Sequence, residues 1–307
     1  FYYVSFDRPE RSYRFNPLKV VRDRTELIQL MEDVLLALLP KKEQQNEWVA
    51  GGLGILRGVA FRFWDEFPEH CTLPHILAFI MTASARQLSL FLQQNLVSEM
   101  LAGAYLKAEG SEKTQASYLS TLCNNLATIS QNEEIAYVLS GDDFDFNLID
   151  PETPKLFAVS NNFSKNSVYA PVISMLMTIS ARQFSMQNRV PFVYFLDEMT
   201  TVNIKNFETL PSVLREYKAA FILLTQSGAK LENLYGKLDR SSVEANFGNM
   251  FLGRTKDVEA LKYYPLFFGK EEKERRSRSS GKSGASSSSS VTVSSQKEDI
   301  YQGKDFA

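Results

Sequence analysis

Two short apolar runs, each cut off by polar residues, constrain this chain more than any other feature. Phe192 to Leu196 ends abruptly in Asp197-Glu198, and Ala219 to Leu224 ends in Thr225-Gln226. Runs of this length bounded by breakers read as strands buried on both faces, as in a parallel sheet. Between them an amphipathic segment carries Phe207, Leu210, Val213 and Leu214 at helical spacing. The order strand, helix, strand predicts a parallel crossover. Ligands of open α/β sheets bind outside the carboxyl ends of the strands, and both polar pairs fall there.

The chemistry that such an arrangement suggests is nucleotide hydrolysis. An apolar strand ending in Asp-Glu matches the second nucleotide motif of P-loop ATPases. The first acid, Asp197, would help hold Mg²⁺, a hard cation that takes oxygen ligands. The second, Glu198, would polarise the attacking water as a positioned general base. Gln226 carries both an amide donor and an acceptor and could sense a γ-phosphate or orient that water. The plainer alternative is that the two acids only open a loop before a helix, where negative side chains are common.

A chain of 307 residues has room for about two domains. Its hydrophobic fraction of 44% is that of a folded globular protein. With a formal net charge of −2 there is no nucleic-acid footprint in the composition, so any DNA contact must be local. Cys71 and Cys123 make no metal-ligand pattern, and a reducing compartment is the simpler expectation. No apolar run approaches the ~20 residues of a membrane-spanning helix. The opening, FYYVSF, already reads as a strand and is expected to be the start of a fragment of something longer.

Along the chain, residues 1–20 read as a strand and a second extended piece, Tyr13 to Phe15, running into Asn16-Pro17-Leu18. Residues 21–140 show helical periodicity and no convincing strand, predicting an all-α domain. Its segments are Leu27 to Leu38 (stopping at Pro40), Trp48 to Trp64, Ile76 to Thr82, Leu88 to Leu106 and Tyr118 to Ile129. The glycines of the second segment, Gly51, Gly52, Gly54 and Gly58, either weaken that helix or let it pack closely. Residues 141–269 return to alternating strand and helix: a strand at Leu156 to Ser160, a helix at Tyr169 to Met186, the two runs above, helices at Ala229 to Tyr235 and Arg240 to Phe247, and a strand at Met250 to Gly253. Residues 270–290 are rich in serine and read as a flexible linker. Residues 291–307 are expected to return as an edge strand. The fold class is therefore α/β, a parallel-sheet domain with an inserted all-α domain.

With these residues in place the chain resembles the conjugative coupling proteins of the TraG/TraD type, which are related to the FtsK and HerA motors. The resemblance rests on Phe15-Asn16-Pro17-Leu18 ahead of the helical insertion, the strand ending Asp197-Glu198, Arg215 before the strand ending Thr225-Gln226-Ser227, Tyr235-Gly236, Asn246, and Gly253 to Asp257. It is strongest from Leu156 to Asp257. It implies a RecA-like motor domain that uses ATP and Mg²⁺, works as a homo-hexamer, and drives single-stranded DNA with its relaxase toward a type IV secretion channel. It also implies a place at the cytoplasmic face of the inner membrane, anchored by a segment absent from this chain. In that scheme Asp197 helps hold Mg²⁺, Glu198 activates water, Gln226 reads the γ-phosphate, and Arg215 is the arginine finger given to the adjacent subunit. The ordinary alternative for Arg215 is a solvated helix-end residue pairing with Glu216 or Glu208. Other functions of the same fold are a double-stranded DNA translocase or another secretion ATPase. From a different class comes a docking module that recruits relaxase without hydrolysis.

One departure is sharp. No GxxxxGK[ST] phosphate loop occurs in the sequence; Gly51 to Gly54 and Gly281 to Gly284 lack its spacing and context. Truncation is the simplest account, and this polypeptide alone is expected to bind nucleotide weakly and hydrolyse nothing. Three lesser features complete the reading. Lys270, Lys273, Arg275, Arg276, Arg278 and Lys282 could touch phosphates, but Glu271, Glu272 and Glu274 dilute them and favour a solvated segment. His70, Cys71 and His75 lack the fourth ligand of a zinc site and read as a loop. Trp48, Phe63 and Trp64 read as core of the helical domain, with stacking on bases as the alternative.

Overall fold

The first strand of the chain, Tyr2–Ser5 (β1), finds its hydrogen-bonding partner far along the sequence. Phe157–Ser160 (β2) pairs with it in parallel, from Tyr2 opposite Phe157 to Ser5 opposite Ser160. The computed structural model describes residues 1–39, 43–184, 190–283 and 286–307. They form two compact units, residues 1–225 and 226–307.

In the first unit, the segment between β1 and β2 is helical. Its helices are Arg24–Ala37 (α1), Glu47–Glu66 (α2), Leu73–Thr82 (α3), Ala85–Gln93 (α4), Leu96–Leu101 (α5), Gly103–Lys107 (α6), Glu112–Ser130 (α7) and Glu133–Leu139 (α8). Polar caps start most of them. The Asp23 carboxylate accepts from the Glu26 N–H, Thr72 from His75, and Ser84 and Gln87 form a reciprocal capping box. The predicted single helix from Leu88 to Leu106 is instead α4, α5 and α6. The break is at Asn95, whose side chain accepts from the N–H groups of Val97 and Ser98 and restarts the helix. The point at which the first helix was expected to stop, Pro40, lies outside the described residues.

The glycines of α2 allow close packing. A Cβ on Gly51 would lie 2.2 Å from the Tyr118 ring, and one on Gly54 would lie 2.7 Å from the Leu101 carbonyl oxygen. Trp48 packs against Tyr118, with ring centroids 5.3 Å apart, but Trp48, Phe63 and Trp64 are all only partly buried rather than core.

The neck of the insertion is closed by both backbone and side chains. The Arg14 N–H donates to the Asp143 carboxylate, the Asp143 N–H donates to the Arg14 carbonyl, and the guanidinium adds an ion pair at 3.1 Å. Around this collar Tyr2, Tyr13, Phe15, Phe144, Phe146 and Phe157 form one aromatic cluster. The Phe15-Asn16-Pro17-Leu18 motif lies inside it. All four residues are buried, and the Asn16 amide donates to the Cys71 carbonyl at 2.8 Å.

After β2 come a long helix, Asn166–Arg182 (α9), a strand, Phe192–Leu196 (β3), a short helix, Leu210–Leu214 (α10), and Ala219–Leu223 (β4). The sequence places the end of α9 at Met186; the helix stops at Arg182, and Met186 is outside the described residues. β3 and β4 pair in parallel, Phe192 opposite Ala219 through Leu196 opposite Leu223. The parallel strands thus form two pairs, β1–β2 and β3–β4, with no hydrogen bonds joining the pairs among the described residues. One face of β3–β4 packs a small core of Phe184, Tyr194, Leu214 and Ala219. Burial holds the Tyr194 phenol firmly protonated, within reach of the Ser180 hydroxyl.

The second unit holds Gly228–Tyr235 (α11), Lys237–Ala245 (α12), Val258–Tyr263 (α13) and a long antiparallel hairpin, Lys270–Ser283 (β5) with Ser286–Asp299 (β6). Two expectations fail here. Residues 270–283 and 286–290 form strands rather than a flexible linker, and 291–299 pair with β5 rather than with the parallel strands. The hairpin is anchored at its base, where Gly269 takes a left-handed φ of +77° and Phe268 packs on Tyr301 and Phe306. Four of its cations sit beside carboxylates: Lys270 by Asp299, Lys273 by Glu271, Arg275 by Glu298 and Arg276 by Glu274. That neutralisation fits the solvated reading of the basic cluster. Met250 to Gly253 is also not a strand; no strand partners it among the described residues, and Phe251 is almost fully exposed. No described helix is long and apolar enough to cross a membrane.

A buried carboxylate ties the helical segment to the rest of the first unit. Asp33 on α1 is 8% exposed and accepts from Arg182 of α9 at 2.6 Å and from Lys205 in the loop after β3. Breaking a buried ion pair costs ~3–5 kcal/mol. Both cations are partly exposed and recover water, which reduces the loss. Asp33→Asn should therefore lower stability by about 2 kcal/mol and Lys205→Ala by less than about 1 kcal/mol. Urea titration of the two variants checks the order.

Candidate functional site at the strand tips

The register of β3 and β4 sets their carboxyl ends side by side, and the Leu224 N–H donates to the Leu196 carbonyl at 3.0 Å, extending the ladder one step further. Asp197-Glu198 leave the first strand and Thr225 leaves the second at the same end. Both acids are exposed.

Glu198 adopts a left-handed conformation, φ 48° and ψ 44°, and begins a single 3₁₀ turn, Met199–Thr201. Side chains other than glycine, and to a lesser degree asparagine and aspartate, rarely take this region. The cause is visible locally. Met199 is buried, as are Val202, Ile204 and Phe207 beyond it, so the chain must turn down at once while the acid stays outside. The turn is held by the Glu198 carbonyl, which accepts from the Thr201 N–H at 2.9 Å and the Thr201 hydroxyl at 3.0 Å.

Two contributors escape a sequence-level reading. Asn161 follows the end of β2, and its amide donates to Asn166 at the start of α9 at 2.6 Å and reaches the Thr201 hydroxyl at 3.5 Å. The carboxyl end of β2 therefore lies beside the turn that carries Glu198. The signal was present as two adjacent asparagines after an apolar run, a pattern shared with any loop.

Arg215 lies elsewhere. It follows α10 and precedes β4, so it sits at the amino end of a strand of five residues, about 16 Å from the opposite tip at ~3.3 Å per residue. Its side chain is exposed. The fold does not bring Arg215 to the acids of its own chain. Gln226 is the first residue of the second unit. Its side chain is exposed and its amide oxygen accepts from Lys230 at 2.9 Å.

His70, Cys71 and His75 do not form a metal centre, and no group of three potential ligands occurs among the described residues. His75 Nδ1 is within 2.8 Å of the Thr72 hydroxyl, and Cys71 is buried.

The comparisons with known proteins agree with this architecture. Residues 191–307 match the family model described as the TraM recognition site of TraD and TraG. Among solved structures the chain is similar to the bacterial conjugative coupling protein TrwB in an unbound form, at 17% identity and a TM-score of 0.71 over 99% of this chain and 68% of that one. It is likewise similar to TrwB solved with ADP and Mg²⁺, at 16% identity, a TM-score of 0.69 and 99% and 67% coverage. A third likeness is to TrwB with a non-hydrolysable ATP analogue, at 15% identity, a TM-score of 0.71 and 99% and 68% coverage. No curated protein sequence matches the chain. The fold is the one seen in TrwB, an α/β body with parallel strands interrupted by an all-α segment. The family match is confined to residues 191–307, and over that stretch the chain resembles the TraG/TraD-type coupling proteins.

Two measurements test this local picture. Replacing a left-handed non-glycine residue by glycine relieves strain of ~1–2 kcal/mol, partly offset by the greater freedom of the unfolded chain. Glu198→Gly should leave stability unchanged or raise it by up to about 1 kcal/mol, whereas Glu198→Ala should not raise it; thermal unfolding distinguishes them. Burial pushes the Cys71 thiol up to about 12 and also raises that of Cys123. Because the thiolate is the reactive form, a thiol reagent near neutral pH should label neither residue quickly until the chain is unfolded.

Proposed function

We propose that this chain is the motor portion of a conjugative coupling protein, with ATP and Mg²⁺ handled at the carboxyl ends of β3 and β4. The observation that carries the reading is an exposed acid pair, Asp197-Glu198, leaving one of two neighbouring parallel strands. TrwB, whose fold it shares, has been solved with ADP and Mg²⁺ and with nucleotide analogues. The donor set suits a hard cation: Asp197 offers carboxylate oxygens to Mg²⁺, which would neutralise phosphate charge. Glu198 accepts the proton of the attacking water. Gln226 reads the γ-phosphate through its amide. No phosphate loop occurs in these residues, so the cradle for the β- and γ-phosphates must come from outside them.

Arg215 acts in trans. At the far end of β4 it cannot serve the acids of its own chain, but in a ring of identical subunits it can reach a neighbour's. There a guanidinium would neutralise charge on the transferring phosphoryl group. The intact assembly is a homo-hexamer at the cytoplasmic face of the inner membrane, moving single-stranded DNA with its relaxase toward a type IV secretion channel. The helical domain meets cargo.

A second reading is favoured by the family description over residues 191–307. Recognition of a TraM-type relaxosome protein through the C-terminal part would make the chain a docking module even without hydrolysis.

The test needs the chain joined to a phosphate-loop segment. Glu198→Gln should then lower DNA-stimulated ATP hydrolysis by ~10²–10⁴-fold with nucleotide binding retained. Arg215→Ala should lower it by ~10³-fold or more. Mixing the two inactive variants should restore activity to about a quarter of the sites, because one interface in four then combines an intact Glu198 with an intact Arg215. Full activity in Glu198→Gln, or no recovery on mixing, would defeat the motor reading and the shared-site reading respectively. The 307-residue chain alone should show no ATP turnover.

A further inference from the structure

The helical segment carries a feature that the strand-tip chemistry does not use. Between α3 and α4 lies a cleft of about 450 Å³. Its floor is Phe79 and Phe91, with ring centroids 4.4 Å apart, and Leu90, Thr82, Gln87 and Gln94 line its sides. Phe63 and Phe67 extend the aromatic cluster behind Phe91. Leu90 is half exposed, and the adjoining α5 presents Leu96 and Met100, both about two-thirds exposed, on one helical face with Glu99. A cleft with aromatic walls and exposed aliphatic neighbours is built to take bulky apolar side chains.

Its surroundings are acidic. Asp65, Glu66 and Glu69 follow one another at the end of α2, and the Asn95 amide, next to Gln94 of the cleft wall, donates to both Asp65 and Glu66. Glu99 lies one turn further along α5. The cations of these elements are Arg57, paired with Glu32 at 2.7 Å, Arg62, buried and paired with Glu66 at 2.8 Å, and Arg86. Across residues 24–139 the sequence has thirteen Asp and Glu against eight Lys and Arg. The acids form no metal-binding group among the described residues, and their charge repels phosphate.

We infer that the α3–α4 cleft and the α5 face form a docking site for a basic amphipathic segment of a partner protein. Its apolar side chains would seat over Phe79, Phe91 and Leu90, and its cations would face Asp65, Glu69 and Glu99. This is helix-in-groove recognition with charges fixing the orientation. It names a partner class for the cargo-meeting role proposed above and rests on that reading for its biological sense. The binding itself requires no nucleotide chemistry.

The experiment measures binding of fluorescent synthetic peptides to the 307-residue chain. One is an amphipathic helix of leucine and lysine, the second its leucine and glutamate counterpart, and the third a scrambled leucine and lysine peptide without an apolar face. A single-stranded oligonucleotide is the fourth probe. Only the amphipathic basic peptide should bind, with affinity that falls as salt rises. Thr82→Trp, which fills the cleft from an exposed position, should weaken binding at least about tenfold. The double variant Glu69→Lys with Glu99→Lys should do the same through charge alone. Unchanged melting temperatures would show that both variants remain folded. Equal binding of the scrambled or glutamate peptide, preferential binding of the oligonucleotide, or indifference to both variants would overturn the inference. Such a failure would leave the Glu198 and Arg215 tests untouched, and a failure there would leave this site standing.

Discussion

The pairing of β1 with β2 is the constraint on which the first unit depends. Two parallel strands cannot be joined by a hairpin and need a crossover that returns the chain to the same end. Here the crossover is the whole helical segment, with Tyr2 opposite Phe157. Closing a loop of that length costs on the order of 4–5 kcal/mol in chain entropy. A handful of strand hydrogen bonds, each worth ~1 kcal/mol net, barely offsets it. The margin must come from the collar: the Arg14–Asp143 bonds and the rings of Tyr2, Phe15, Phe144, Phe146 and Phe157. The Phe15 to Leu18 motif is thus a folding element, the hinge post at which an inserted domain is fastened to a sheet.

A second fastening has more bearing on function. Asp33 reaches out of the helical segment to Arg182 and to Lys205, and Lys205 belongs to the loop that leaves Glu198. The Arg182 guanidinium also donates to the Glu26 carbonyl, and Arg22 donates to the Arg182 carbonyl, so α1 and α9 are bonded in both directions. The helical segment is therefore connected by charge to the same loop whose buried Met199, Ile204 and Phe207 hold the acid turn in shape.

What the sequence disclosed follows a physical division. The strands were legible as short apolar runs between breakers, but burial on both faces was not borne out: Val193 and Phe195 of β3 are more than half exposed and only the Tyr194 face is packed. The acids at Asp197-Glu198 stood out because charge directly after five apolar residues demands an edge. The helical insertion was legible from periodicity. Asn95 was not, because a cap acts through hydrogen bonds that a hydrophobic pattern does not register. Residues 270–283 and 286–299 were misread for the opposite reason. Serine, arginine and glutamate have little burial to seek, so pattern predicts coil, yet the aromatic base at Phe268, Tyr301 and Phe306 sets a register that cross-strand pairs such as Lys270 and Asp299 can follow. Met250 to Gly253 shows the converse: strand-like residues without a partner strand stay unpaired.

The left-handed turn at Glu198 and the remoteness of Arg215 have one origin. Parallel strands are polar objects: everything that follows a strand collects at one pole, and everything that precedes it collects at the other. Glu198 is the second residue after β3, and because Met199 must be buried, its backbone accepts strain rather than surrender the exposed carboxylate. Arg215 opens the 3₁₀ turn Arg215–Tyr217 that leads into β4 and is carried to the opposite pole by the same register. No side-chain rotation spans the length of a five-residue strand. A site that used both residues, as proposed above, would have to combine Glu198 of one copy with Arg215 of another, and that requirement would follow from the direction of two strands rather than from any interface residue.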